Sequence, residues 1–272
     1  MWIRNRTSHL RMDQDLGDEK EPQTVELEKD ENANSGDAEP AFIGLRAVKV
    51  ISWIIELVEV FIEQIWYYRG VYPSESFKKV RSFQLEVYTN IHPGVKEYLS
   101  NVSNKLLEML KQGKFSRIFV AIYNPEDENT EPIDVVGIRE ESYAISFTDS
   151  IIFDYLRQNC PVQFDSSFNE QRLYASIQSF LYSVISELTR LQKFTDFIPD
   201  FRLFVSADKE SFGEFVANPD WILESTDQDE ETQPGNGLGD SRVRVFKEVN
   251  LGYLSIKGYA ASGHVSGERE RD

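Results

Sequence analysis

The chain has 272 residues, enough for one sizeable α/β domain with tails or at most two small domains, and 40% of them are hydrophobic, so a real core can form. Against 29 Lys and Arg stand 46 Asp and Glu, and the formal net charge of -17 disfavours a general nucleic-acid-binding role because it repels phosphate backbones. A single cysteine, Cys160, excludes an intramolecular disulfide framework and a thiolate metal cluster.

The first residues carry no continuous apolar run of the kind a secretory leader needs, and no stretch reaches the ~18 uncharged apolar residues of a membrane span. The expected home is a reducing compartment. Between Met12 and Pro40 the chain is acidic and nearly free of aromatics. It cannot bury enough apolar surface to offset its ordering entropy, so disorder is expected, as a solubilising tail or a docking arm.

The folded part is expected to start near Phe42, with one long helix from Ile43 to Tyr68. Its polar residues Lys49, Ser52, Glu56, Glu59 and Glu63 recur at alternating spacings of three and four and make one narrow stripe. Most of the remaining circumference is apolar, so neighbours should enclose this helix as the spine of the domain. Arg69-Gly70 is a plausible stop before Pro73.

VYPSESFKKV (71–80) reads as a turn-rich connector, and RSFQLEVYTN (81–90) as a strand. A second helix is predicted from His92 or Pro93 to Leu110, with proline suited to its first turn. Gly113 then separates it from a strong strand, Phe115 to Tyr123. After an acidic loop, IDVVGIREESYAI (133–145) should return antiparallel. Residues 150–168 fit no element clearly. A third helix is predicted over Asn169 to Leu191 and a strand over Phe201 to Ala207.

The last third changes character. Trp221-Ile222-Leu223 leads into the polar stretch ESTDQDEETQPGNGLGD (224–240), which cannot pack, and then into two strand-like runs, SRVRVFKEVN and LGYLSIKGYA. Structureless loops beyond about 12–15 residues are usually functional or disordered. A long link would let the terminal strands lie away from their sequence neighbours.

Catalytic signatures are absent. His9, His92 and His264 have no metal-binding companion at i+4, Cys160 precedes Pro161 outside any cysteine-protease context, and no phosphate loop or GxGxxG occurs. The carboxylates lie mostly in runs, where a solvated surface outweighs acid–base chemistry. No enzyme, cofactor or metal is expected. Peptide binding is better supported, because strands behind a long link suit capture of an extended segment at a sheet edge, with aromatic anchors supplying affinity. Tyr98 and Trp221 stand next to elements that could frame such a groove, as binding hot spots or as plain core or surface packing.

At three places the chain resembles the HORMA-domain family. YYRGVYPSESF (67–77) is similar to a signature shared by spindle-checkpoint HORMA proteins and the accessory subunit of DNA polymerase zeta. NIHPGVKEYL (90–99) and PDWILES (219–225) resemble segments of the polymerase subunit, in a fungal-type form, and the similarity spans about 43–260. The resemblance implies an α/β HORMA fold: three main helices packed on a mostly antiparallel sheet, with a mobile C-terminal safety-belt hairpin that wraps a partner peptide. It divides the chain into a disordered acidic arm (1–41), a HORMA domain (42–262) with a belt region (219–262) and flexible link (224–240), and a disordered tail (263–272).

By the same resemblance Tyr98 and Trp221 contact the peptide, a proline-containing segment of the catalytic subunit of DNA polymerase zeta. Leu254, Ile256 and Tyr259 are candidates for a second surface, toward the deoxycytidyl transferase scaffold of translesion synthesis. A nuclear, non-catalytic adaptor in error-prone lesion bypass is implied, with no direct sequence-specific nucleic-acid contact and no membrane role. A spindle-checkpoint-type adaptor binding a mitotic regulator through the same belt is the alternative. HORMA dimerisation is also implied, but the arginine that serves it in relatives falls near Gln178 here.

Overall fold

The computed structural model describes residues 2–5, 45–126, 141–158, 168–207, 221–224 and 242–262. Helix α1 (Leu45–Arg69) is the spine that the sequence predicts. Ile51, Ile54, Leu57, Phe61, Ile62, Ile65 and Trp66 are buried along it, each worth about 1.5–3 kcal/mol in apolar area removed from water. It ends at Gly70, whose φ of +74° is the left-handed conformation that glycine adopts without a Cβ penalty. There Val71 N–H donates to Trp66 O at 3.0 Å, satisfying a carbonyl of the last turn.

The polar stripe of α1 is exposed at Lys49 and Ser52 and becomes buried toward Glu63, and three of its residues dock neighbouring elements. Lys49 pairs with Glu170, Ser82 donates to Glu56 at 2.7 Å, and Glu63 accepts from Thr89 Oγ1 and Asn90 N–H at 2.8 Å each. These contacts account for Lys49, Glu56 and Glu63, whereas Ser52 donates back to Lys49 O of its own helix at 2.8 Å.

Where the sequence predicts a connector followed by one strand, the structure has a hairpin of β2 (Phe77–Ser82) and β3 (Leu85–Asn90) after a short 3₁₀ turn. Its two-residue turn, Phe83-Gln84, has φ of +46° and +59°. Such turns normally announce themselves by Asn-Gly or Asp-Gly. Here the signal is missing because tertiary packing decides: Phe83 is buried, 5.2 Å from the Tyr174 ring.

Helix α2 (Pro93–Lys111) starts on proline and stops at Gly113, φ +67°. A Cβ at that position would lie 2.3 Å from Phe153 O, so glycine also permits close approach of α3 (Ile151–Arg157). This short helix, in the stretch the sequence left unassigned, joins the three main ones to make four α-helices among the described residues. Helix α4 (Glu170–Arg190) opens with the Asn169 side chain accepting from Arg172 N–H at 3.1 Å.

The strands are β1 (Trp2–Asn5), β4 (Phe115–Tyr123), β5 (Glu141–Ser146), β6 (Asp200–Ala207), β7 (Trp221–Glu224), β8 (Arg242–Val245), β9 (Val249–Asn250) and β10 (Ser255–Ser262). They form one sheet in the order β7-β1-β6-β4-β5-β10-β8, with β9 beside β10 and every described pairing antiparallel. Ile118, Val120, Ile145, Leu203 and Val205 join the helices in the main core. The alternating positions Phe119, Ala144 and Phe204 form a small cluster with Tyr259 on the other face. Helices therefore cover one face of the sheet.

Residues 2–5 correct the expectation of a single disordered arm over 1–41: they are a strand inside the sheet. Four residues are too short a run to signal a strand, and their pairing depends on partners some 200 residues away. The rest of that arm, the tail after 262, Cys160, His9, His264 and most of the link 224–240 lie outside the described residues.

Candidate peptide-binding site

Strands β6 and β7 follow one another in the chain yet do not pair. Each is antiparallel to β1, so they run parallel with one strand's width between them. Trp2 stands opposite Ser206 and Glu224, Ile3 opposite Val205 and Leu223, and Arg4 opposite Phe204 and Ile222. The gap is a slot that satisfies an extended segment along both of its backbone edges, as a buried strand requires. The register of β1 on β6 ends at Phe204, and Phe201–Leu203 continue the slot's wall beyond it.

That continuation leads to Tyr98 on α2. Its ring lies 6.0 Å from Phe201 and 6.2 Å from Trp66, in a cluster completed by Tyr72. The Tyr98 hydroxyl is buried and has no hydrogen-bond partner among the described residues. Burial, with the neighbouring Tyr72 and the negative charge of Asp200, pushes the phenol well above its ordinary value of 10. It is therefore a neutral O–H donor at any physiological pH. A buried donor without an acceptor costs about 1–3 kcal/mol, a cost that an arriving acceptor would remove.

The chain leaves the sheet at β7 on one edge and re-enters at β8 on the opposite edge. Six strand spacings of about 4.8 Å separate those edges, on the order of 29 Å. The intervening residues 225–241 can reach that far, since an extended chain covers ~3.3 Å per residue. The C-terminal segment thus spans the molecule from the slot's outer wall to the far side.

Its landing place is well built. β10 pairs with β5 from Lys257 to Ser262, and Val249, Leu254 and Ile256 are buried in the main core. Phe246 packs 6.0 Å from the Phe180 ring and 6.4 Å from that of Phe61. Ser150 Oγ donates to Ser255 O at 2.9 Å and accepts from Ser255 N–H at 3.0 Å, and Lys257 pairs with Asp149. Gly258 makes the fit: a Cβ there would come within 2.9 Å of Ala144 O and of the Phe180 and Phe246 rings.

Tyr98 and Trp221 lie toward the same end of the slot, Tyr98 against Phe201 and Trp221 in β7 opposite Asn5. Of the three candidates for a second surface, Leu254 and Ile256 are fully buried, which leaves them no side-chain surface to offer; Tyr259 is partly exposed on the other face. Alternation in LGYLSIKGYA does not say which face meets the core, and only docking against β5 decides it. The exposed apolar side chains of this hairpin are Val243 and Val245 on β8. Sequence reasoning also missed β1, Phe246 and Gly258. Among the described residues no cluster of His, Cys, Asp and Glu could hold a metal, and no helix is long and apolar enough to cross a membrane.

The HORMA domain profile matches residues 51–199. Over 78 residues the chain is 33% identical to DNA polymerase zeta subunit 2 of Drosophila melanogaster, covering 29% of this chain and 39% of that protein. Over 73 residues it is 36% identical to mitotic spindle assembly checkpoint protein MAD2A of Mus musculus, covering 27% and 36%. These matches span less than half the length of either relative, and relatedness runs to both groups without choosing the fungal polymerase-zeta form. Among solved structures, a chain of the mitotic checkpoint complex superposes with a TM-score of 0.55 at 18% identity, over 79% of this chain and 99% of that one. HTP-2 of C. elegans bound to a HIM-3 closure motif superposes with a TM-score of 0.53 at 11% identity, over 79% and 90%. At such identities the likeness is one of fold.

Proposed function

Because the chain belongs to the HORMA-domain family, whose members are adaptors and not enzymes, we propose that it captures an extended partner peptide as a strand between β6 and β7. The observation that carries this reading is the slot itself: two consecutive parallel strands held one strand apart and joined only through a third segment. Residues 219–262 act as the safety belt, passing from the slot's outer wall to the seat beside β5. Release requires the belt to open, so modest contacts give a slowly dissociating complex.

The partner in this reading is a proline-containing segment of the catalytic subunit of DNA polymerase zeta. Tyr98 contacts it through its buried hydroxyl and Trp221 by packing. The adaptor would then bridge that subunit to the deoxycytidyl transferase scaffold through the surface around Tyr259, in the nucleus, during lesion bypass. The likeness to polymerase-zeta subunits supports this choice. The likeness to checkpoint proteins supports a second reading, a mitotic regulator bound in the same slot.

A binding titration separates the two. The purified protein, with Tyr98→Ala and Trp221→Ala variants, is titrated with proline-containing fragments of the zeta catalytic subunit and of a checkpoint regulator. Tight binding of the polymerase fragment, weakened by both substitutions in folded protein, is the expected result. Binding of the checkpoint fragment alone would transfer the protein to the second reading.

A further inference from the structure

We infer that residues 2–5 are a built-in occupant of the peptide slot, so that the chain captures its own Trp-Ile-Arg-Asn segment and a partner peptide must displace it. The inference rests on reading the slot as the partner's seat. β1 is the strand that joins β6 to β7, and it holds all four of its residues in register with β7. Both of its edges are taken by β6 and β7, distant in sequence, and residues 6–44, roughly 40 of them, separate it from α1. Trp2 and Ile3 are of the aromatic and β-branched types that favour a paired strand. In position, direction and composition β1 is a peptide ligand that happens to be covalently attached.

The attachment sets the regulatory consequence. A connection of roughly 40 residues keeps the segment within reach of the slot, and tethering at that length gives it an effective concentration on the order of millimolar. Even a weak four-residue strand then fills the slot most of the time, whereas a second copy at micromolar concentration could not compete. The segment keeps both slot edges paired until a partner arrives and lowers the partner's apparent affinity by the ratio of tether concentration to intrinsic dissociation constant. Only partners with more contacts than β1, such as those reaching past Phe204 to Phe201 and Tyr98, would be admitted. Self-occupation is thereby a filter for length.

The test uses the full chain and its Ile3→Pro variant, since proline removes a ladder donor and cannot sit between two paired neighbours. Two labelled probes are titrated: the peptide MWIRNRTSHL (residues 1–10) and the zeta catalytic-subunit fragment. The variant is expected to bind both probes about tenfold more tightly than the unsubstituted chain, while a probe peptide carrying Ile3→Pro fails to bind. Hydrogen exchange separates fold from slot: α1 should keep its protection in the variant, while protection at residues 203–206 should fall and be restored by the 1–10 peptide. If both proteins bind the partner fragment equally and neither binds the 1–10 peptide, self-capture is overturned while the slot reading stands. If neither protein binds the partner fragment, the proposed function fails, and enhanced binding of the 1–10 peptide to the variant still decides self-capture. A dimer that Ile3→Pro dissolves would overturn capture in cis in favour of exchange between copies.

Discussion

Arg69 and Glu141, 72 residues apart, form a bidentate pair: Arg69 Nε donates to Glu141 Oε2 at 2.6 Å and Nη2 to Oε1 at 2.9 Å. Arg69 is 1% exposed, its Nη1 donates to Gln192 O at 2.9 Å, and its guanidinium stacks 4.4 Å from the Phe194 ring. Tyr143 adds its hydroxyl to Glu141 Oε2 at 2.5 Å. The arginine of the YYRG run is therefore the bolt that fastens the end of α1 to β5, the strand on which the C-terminal hairpin lands.

Removing one partner of a buried pair leaves an uncompensated charge, so Arg69→Ala should cost about 3–5 kcal/mol. Replacing both residues, as Arg69→Met with Glu141→Leu, should cost less than the sum of the single changes by at least ~2 kcal/mol. Urea denaturation of the four proteins closes the cycle. Additive costs would mean that the two groups do not stabilise each other.

Glu63 gives the protein a pH-dependent weakness. Burial on α1 raises its carboxyl above the ordinary 4.5, aided by Glu59 and opposed by the Asn90 and Thr89 hydrogen bonds and by Lys96. A raised folded value means that the native state holds the proton more tightly than the unfolded chain. The resulting stability is present in full below 4.5 and is lost as pH rises through the folded value. Glu63→Gln keeps the acceptor oxygen without the charge. Its melting temperature should gain on the parent protein as pH rises from 4.5 toward neutrality, and a constant difference across thermal melts in that range would refute the assignment.

Tyr98→Phe should separate stability from capture. The hydroxyl has no partner among the described residues, so deleting it should leave the melting temperature unchanged or slightly higher. A captured peptide that accepts from this hydroxyl would lose about 1–1.5 kcal/mol, roughly a tenfold weaker complex. Equal peptide affinity for the two proteins would remove Tyr98 from the site.

Gly258→Val should unseat the belt without unfolding the core. The new side chain must displace Ala144 O or the Phe180 ring of the hairpin's seat, or the Phe246 ring of the hairpin itself. Amides of 242–262 should then exchange faster by at least tenfold while those of α1 and α2 keep their protection. Captured peptide should also dissociate faster. Uniform loss of protection across the chain would show that the hairpin is part of the cooperative core and not a separable belt.

The helical spine, the second and fourth helices and strands β4 and β6 are legible in the sequence because their signals are local. Apolar spacing of three to four, a proline at the start and a glycine just past the end act within one segment of backbone. HORMA membership is legible for the same reason, since YYRGVYPSESF is contiguous. Tertiary structure alone decides what lies beside what. It turns Phe83-Gln84 into a hairpin turn by burying a phenylalanine, and Glu56 and Glu63 of the polar stripe into docking hydrogen bonds to the β2–β3 hairpin. It puts Leu254 and Ile256 inside while Val245 stays out. Above all it threads residues 2–5 between β6 and β7. Main-chain donors and acceptors are the same at every residue but proline, so no side-chain pattern records which segment will fill a strand-wide gap; reach, register and competition in the folded chain determine that.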